Sequence, residues 1–308
     1  MHKVFVTLVF LTSSFIVQAN TISVEQVSEQ VHLLKGIDYG TNIGLILTQD
    51  GLVLIDPMPG DEHLSALDDA IQSIYAKPVK FILNTHEHAD HTGGNQYFIQ
   101  QGAHLVPTQN TVLSQKVPSQ KVPSQNIPSQ KVPLQNTAQM QNTVAAQNTV
   151  PMQPVIPDIL AAQVSSHSSA DWIYFHSQSN SLFVGDIIDN NWHPTFYAGG
   201  LSGFNAAINH ILAIGNEDSL IVPGHGKPSH KNSLRRFQQN TNDWVQQIES
   251  LIDSGKSVEE ITQHPQIAEL VARFNQEGKS PFLPPKALRK FIERTITVIE
   301  KERQISGK

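Results

Sequence analysis

The sequence predicts an α+β fold in which sheets pack as a sandwich and helices cover them. Three observations predict it. Short apolar runs with strand character fill residues 20–56 and recur at 79–83, 172–184 and 219–223. Amphipathic runs with helical spacing lie between them and dominate the C-terminal third. Several of the strand-like runs end on His or Asp, which lines polar side chains along one rim of a sandwich. Hydrophobic residues at 39% with 16% charged residues can build a core, so wholesale disorder is excluded.

The N-terminus reads as a targeting signal. Met1-His2-Lys3 is a weakly positive head, Val4–Val17 is an apolar run, and Val17-Gln18-Ala19 ends it on a small residue. That three-part pattern predicts a secretory signal over residues 1–19, cleaved after Ala19, and a chain exported to the periplasm or medium. The run is shorter than the ~20 residues that span a bilayer. No other stretch is long and apolar enough, so no membrane span is expected in the mature chain. Residues 20–308 then form one domain.

Val31–Leu34 and Ile43–Thr48 are strand-like, and Gln49-Asp50-Gly51 is a hairpin turn signal. Gly51–Asp56 is a buried strand ending on an acid and closed by Pro57 and Pro59. Leu64, Leu67, Ile71 and Ile74 give a helix over 61–75, and Val79–Leu83 runs as a strand into Asn84-Thr85-His86. Gly93-Gly94 lets the backbone approach closely and a helix begin. From Thr108 to Gln153 there are ten Gln and five Pro but no acid and no aromatic, and Ser114-Gln-Lys-Val-Pro118 recurs every five residues. Each Pro removes a backbone donor and no apolar face repeats, so residues 113–150 are expected to be a disordered, Gln/Pro/Asn-rich insertion. Order resumes near Ile159. Strands follow at Trp172–Phe175, Ser181–Asp186 and Ser219–Pro223, with helices at 204–213, 233–252, 257–263 and 285–302.

Composition also excludes chemistries. There is no Cys, hence no disulfide framework, thiolate zinc site, iron–sulfur cluster or thiol nucleophile. A net charge of −6, which becomes −7 without Lys3, offers no field to attract nucleic acid. A small-molecule substrate is the partner that remains; nothing in the sequence speaks for an oligomeric state.

The strongest signal is His86-Glu87-His88-Ala89-Asp90-His91, three imidazoles and a carboxylate at the end of a buried strand. These are zinc's preferred ligands where thiolates are absent. One loop cannot complete a metal site. His167, Asp186 in Val184-Gly185-Asp186, and His225 in Pro223-Gly224-His225-Gly226 supply further ligands near predicted strand ends.

In that order these residues resemble the metallo-β-lactamase-fold hydrolases, from about Val31 to His230 with the repeat set aside. The resemblance implies a four-layer αββα sandwich carrying a low-complexity insertion. It implies one metal held by His86, His88 and His167, a second held by Asp90, His91 and His225, and Asp186 bridging them. Asp56 resembles the family's buried carboxylate that orients ligands, and Asp171 is given a similar part. The implied cofactor is Zn2+, two per chain, with a single Fe in some relatives. The implied reaction is attack of metal-bound hydroxide on an ester, thioester, lactone or β-lactam carbonyl, with Asp90 as the catalytic residue that orients the nucleophile and passes its proton. Two other readings fit the same resemblance: a mononuclear iron persulfide dioxygenase, and a non-catalytic exported metal-binding protein. The chain departs from the pattern in the Ser residues flanking His167 and in the repeat that fills much of the interval before it. Asn191–Gly200 is read as an apolar wall over the metals or as ordinary packing. His32, His63, His104, His176, His210, His230 and His264 are read as surface or satisfied core residues.

Overall fold

In the computed structural model, residues 21–107, 151–190 and 192–307 are described. The predicted signal at 1–19 and the repeat at 113–150 lie outside them. Two sheets form. The first runs in the order β1 (Ile22–Gln26), β2 (Val31–Gly36), β3 (Ile43–Thr48), β4 (Gly51–Ile55), β5 (Val79–Leu83) and β6 (His104–Leu105). It is antiparallel as far as β4, with Thr48 opposite Gly51 across the Asp-Gly hairpin, and parallel from β4 to β6.

The second sheet contains β7 (Gln153–Ile156), β8 (Ile159–Val164), β9 (Asp171–His176), β10 (Ser181–Asp189) and β11 (Leu220–His225), in the order β11-β10-β9-β8-β7. The helices are α1 (Leu64–Tyr75), α2 (Ala89–Thr92), α3 (Asn95–Gln100), α4 (Gly200–Ala213), α5 (Lys231–Asp253), α6 (Val258–Thr262), α7 (Pro265–Phe274) and α8 (Pro285–Ser306).

Three apolar cores make four layers. Alternation along β4 sends Leu52 and Leu54 outward to meet Leu67 and Ile71 of α1 and Phe98 of α3. Val53 and Ile55 point the other way, onto Ile159, Tyr174 and Phe183 of the second sheet. On that sheet's far face Leu182, Val184 and Ile221 meet Phe204 of α4, Phe237 and Trp244 of α5 and Phe291 of α8. Each such buried Leu, Ile or Phe contributes roughly 1.5–3 kcal/mol relative to exposure. The result is the αββα sandwich. None of the described helices is long and apolar enough to cross a membrane.

The elements differ from the sequence reading in places that matter. The strand expected to stop at Asp186 runs on to Asp189, and its register shifts around Gly185. Gly185 has φ +52°, and a Cβ there would strike the Thr85 hydroxyl. Asp186 is therefore presented at a bulge within a strand rather than at its end. The interval before His167 is also better furnished than expected, since α3, β6, β7 and β8 all lie between the His turn and that residue.

Candidate metal centre

The His turn is held from below by one carboxylate. Asp56, just past β4, accepts from the Thr85 amide at 2.8 Å, the Thr85 hydroxyl at 2.6 Å and His91 Nδ1 at 2.9 Å. Its backbone is left-handed (φ 52°), which costs a non-glycine residue about 1–2 kcal/mol, and these three bonds hold it there. The turn is also tied to the second sheet: Trp172 N donates to Thr85 O at 2.7 Å, and Tyr174 Oη donates to Asn84 O at 2.8 Å. Asn84 and Asn95 exchange amide bonds beneath it.

These bonds select ring orientations. The Thr85 hydroxyl has one proton, given to Asp56, so its 3.2 Å contact with His86 has Nδ1–H of the ring as donor. His91 likewise spends Nδ1–H on Asp56. Both rings thus turn Nε2 toward the centre, and both Nε2 atoms are buried without a hydrogen-bond partner among the described residues. Buried polar atoms are rarely left so, and a metal is one explanation for such an exception.

Two groups of donors result. His86, His88 and His167 form one; Asp90, His91, Asp186 and His225 form the other; within each, the donor atoms lie within 4.8 Å of one another. Asp186 faces both. Its Oδ2 is 4.0 Å from His86 Nε2 and 3.6 Å from His167 Nε2, while its Oδ1 is 3.3 Å from His91 Nε2 and 3.5 Å from His225 Nε2. Oδ1 is buried and has no hydrogen bond among the described residues. Gly224 makes room for this: a Cβ there would collide with Asp186 Oδ1 and reach within 3.0 Å of His91 Cε1.

Charge at the centre is balanced by proximity. Burial opposes charge on His91, but Asp56 and Asp186 outweigh it and carry the imidazole up to about 11. Burial and neighbouring His91 bring His86 down to about 4. Asp90 is held down to about 2, chiefly by its hydrogen bond with His225, whose Nε2 lies 3.2 Å away. Buried Asp186 would resist ionising, yet the surrounding imidazoles hold its carboxyl well below the usual range. Asp56, Asp90 and Asp186 thus face the charged His91 ring, whose Nε2 proton a metal ion would replace.

All seven sequence-predicted donors come together here, and Asp56 lies beneath them. Asp171 acts on His167 through the backbone. Its carboxylate accepts the backbone amides of Ser166 at 2.9 Å and Ser168 at 3.0 Å, so it shapes the loop on either side of His167 and does not touch the ring. Burial pushes its carboxyl up to about 6 despite these bonds. Residues that the sequence reading passed over also position the site. Thr41 Oγ1 donates to Asp90 O at 2.7 Å, and the Asn42 side chain donates to Pro223 O and Gly226 O, clamping the His225 turn.

The 192–200 loop packs inward more than it walls the centre. Phe196 is fully buried, and His193 stacks on Phe291 at 4.0 Å. Among the remaining histidines, His32, His176 and His230 have partners, whereas buried His210 has none for either ring nitrogen among the described residues and is not a satisfied core residue.

Comparisons with known proteins bear on the fold and on the segment that carries the His turn. Residues 36–108 match the model of the metallo-beta-lactamase superfamily. A metallo-beta-lactamase type 2 of Elizabethkingia meningoseptica is 34% identical over 77 residues, 25% of this chain; the match spans only 31% of that relative's length. Among solved structures, a metallo-beta-lactamase from Erythrobacter litoralis aligns with TM-score 0.52 at 15% identity, covering 72% of this chain and 97% of its own. FIM-1 of Pseudomonas aeruginosa, in a mono-zinc form, aligns with TM-score 0.51 at 14% identity, covering 71% and 93%. At such identities the structural likeness speaks for the fold.

Proposed function

We propose that this chain belongs to the metallo-β-lactamase superfamily and that it is a metal-dependent hydrolase with two zinc sites. The observation that carries this is Asp186, whose two carboxylate oxygens face two separate donor groups. His86, His88 and His167 would hold one ion, Asp90, His91 and His225 the other, with Asp186 between. The donors suit zinc, being imidazoles and carboxylates, and in His86 and His91 Nδ1 is engaged on the far side of the ring, so Nε2 is the atom offered to an ion. The zinc relative FIM-1 supports that choice of metal.

Zinc held by these residues would supply Lewis-acid activation of water and of a carbonyl oxygen at neutral pH. The protein's own part is orientation and proton handling. Asp90 remains ionised at neutral pH, and its carboxylate, 40% exposed, is the least covered acid of the centre. Thr41 pins its backbone, so the carboxylate can hold a nucleophile's proton in a fixed direction and pass it to a leaving group. The substrate class proposed is an ester, thioester, lactone or β-lactam, and the reaction is proposed to occur outside the cell, given residues 1–19.

The test is metal analysis of the purified chain together with a panel of those four substrate classes, with and without chelator. Two zinc per chain and chelator-sensitive hydrolysis of one class are expected. A single iron, or two zinc with no hydrolysis of any class, would overturn the proposal.

A further inference from the structure

His86 and His91 turn Nε2 toward the centre through hydrogen bonds at Nδ1. His167 comes from a different loop, between β8 and β9, and Asp171 braces only the backbone there. The ring of His167 has another partner. Its Nδ1 lies 2.6 Å from the hydroxyl of Thr195, which in turn lies 3.5 Å from the backbone carbonyl oxygen of Asp186, and the Thr195 backbone carbonyl also accepts from the ring, holding its proton on the same side.

We infer that Thr195 is the positioning residue for His167. A hydroxyl has one proton to give. Given to Asp186 O, it leaves Oγ1 to accept Nδ1–H of His167, and Nε2 keeps its lone pair on the side of His88 Nδ1, 3.0 Å away, and Asp186 Oδ2, 3.6 Å away. Given to Nδ1 instead, it would force a proton onto Nε2, and the ring could not act as a ligand. The chain His167 Nδ1–H to Thr195 Oγ1–H to Asp186 O therefore repeats, on the second sheet, the chain His86 Nδ1–H to Thr85 Oγ1–H to Asp56 on the first. One threonine serves each imidazole. Thr195 has a further consequence: it ties His167 to the strand that carries the carboxylate shared by both donor groups, across 28 residues of sequence.

This inference rests on the zinc reading above, and the experiment separates the two. Thr195→Val removes the hydroxyl at nearly constant shape, and Thr195→Ser keeps it. Zinc affinity at each site is measured by chelator competition, and the His167 tautomer by nitrogen-15 NMR of the metal-free chain. With wild type binding two zinc, Thr195→Val should weaken one of them roughly 10–100-fold, and Thr195→Ser should restore it to within about threefold. The metal-free melting midpoint of both variants should stay near wild type. In wild type, Nδ1 should carry the proton, and in Thr195→Val the two tautomers should mix. Equal zinc affinity in wild type and Thr195→Val, no rescue by Ser, or a proton on Nε2 in wild type would overturn the role of Thr195. A wild-type chain that binds no zinc would overturn the metal reading itself, whatever the tautomer.

Discussion

Asp56 shows how a single residue can be legible in sequence and still act through geometry that sequence does not display. Its place at the end of an apolar strand marked it; the left-handed backbone and the bonds to Thr85 and His91 appear only in the fold. Asp56→Asn should weaken zinc binding at Asp90, His91 and His225 about 10–100-fold, because the amide keeps one acceptor oxygen and turns an NH2 group on the Thr85 and His91 donors that share Oδ2. Chelator competition on the variant checks this, and unchanged affinity would refute the assigned role. The His turn, His167, Asp186 and His225 were legible because chemistry-bearing residues followed apolar strands. Thr195 was not. It is an ordinary residue in Asn-Trp-His-Pro-Thr, given meaning only by a ring 28 positions away.

His193 yields a pH prediction at the same scale. Burial brings its imidazole down to about 4, with Pro194 O accepting from Nδ1 at 2.9 Å. A base whose folded pKa is depressed binds fewer protons folded than unfolded. Its neutral burial therefore costs nothing above the unfolded value near 6.5, and stability falls as pH drops from there towards 4, by up to roughly 3 kcal/mol. His193→Phe keeps the stack on Phe291 and should lose less stability than wild type between pH 7 and pH 5 in urea melts. Equal losses in the two proteins would show that His193 is not the group responsible.

Elements were legible where periodicity ran long. The amphipathic runs behind α1, α5 and α8 predicted helices with nearly the observed limits. The four-residue α2 and two-residue β6 are too short for any period to show. α7 has no counterpart in the sequence reading, although Ile267, Leu270 and Phe274 form its buried face; Pro265 is its first helical residue, where a missing N–H costs nothing. The outer layer is docked by Trp244 of α5, which stacks on Phe291 of α8 at 4.1 Å and donates Nε1–H to Thr295 at 2.9 Å. Thr295→Val leaves that buried N–H without an acceptor, at a cost of about 1–3 kcal/mol. A lower urea midpoint with unchanged metal content is the expected result, since the helix layer lies away from the donor atoms.

At the scale of the molecule, the two sheets each supply half of the centre. The first brings the His turn, the second brings His167, Asp186 and His225, and Tyr174, Trp172 and Asn42 bond across the seam. The sandwich was legible because strands and helices alternate with polar rims. The spacing between the sheets' contributions was not, because the repeat disguised how α3 to β8 reach His167. Loop-closure cost grows only with the logarithm of length, so deleting two pentads, residues 119–128, should change stability by well under about 1 kcal/mol. Metal content after that deletion should match wild type; its loss would mean that the repeat contributes to delivering His167.

The central claim is that Asp186 stands between two metal sites. Anomalous X-ray diffraction at the zinc edge, on crystals of the zinc-loaded chain, tests it most directly. Two peaks are predicted, one against His86, His88 and His167 and one against Asp90, His91 and His225, with the Asp186 carboxylate between them. A single peak, or zinc bound away from Asp186, would contradict it.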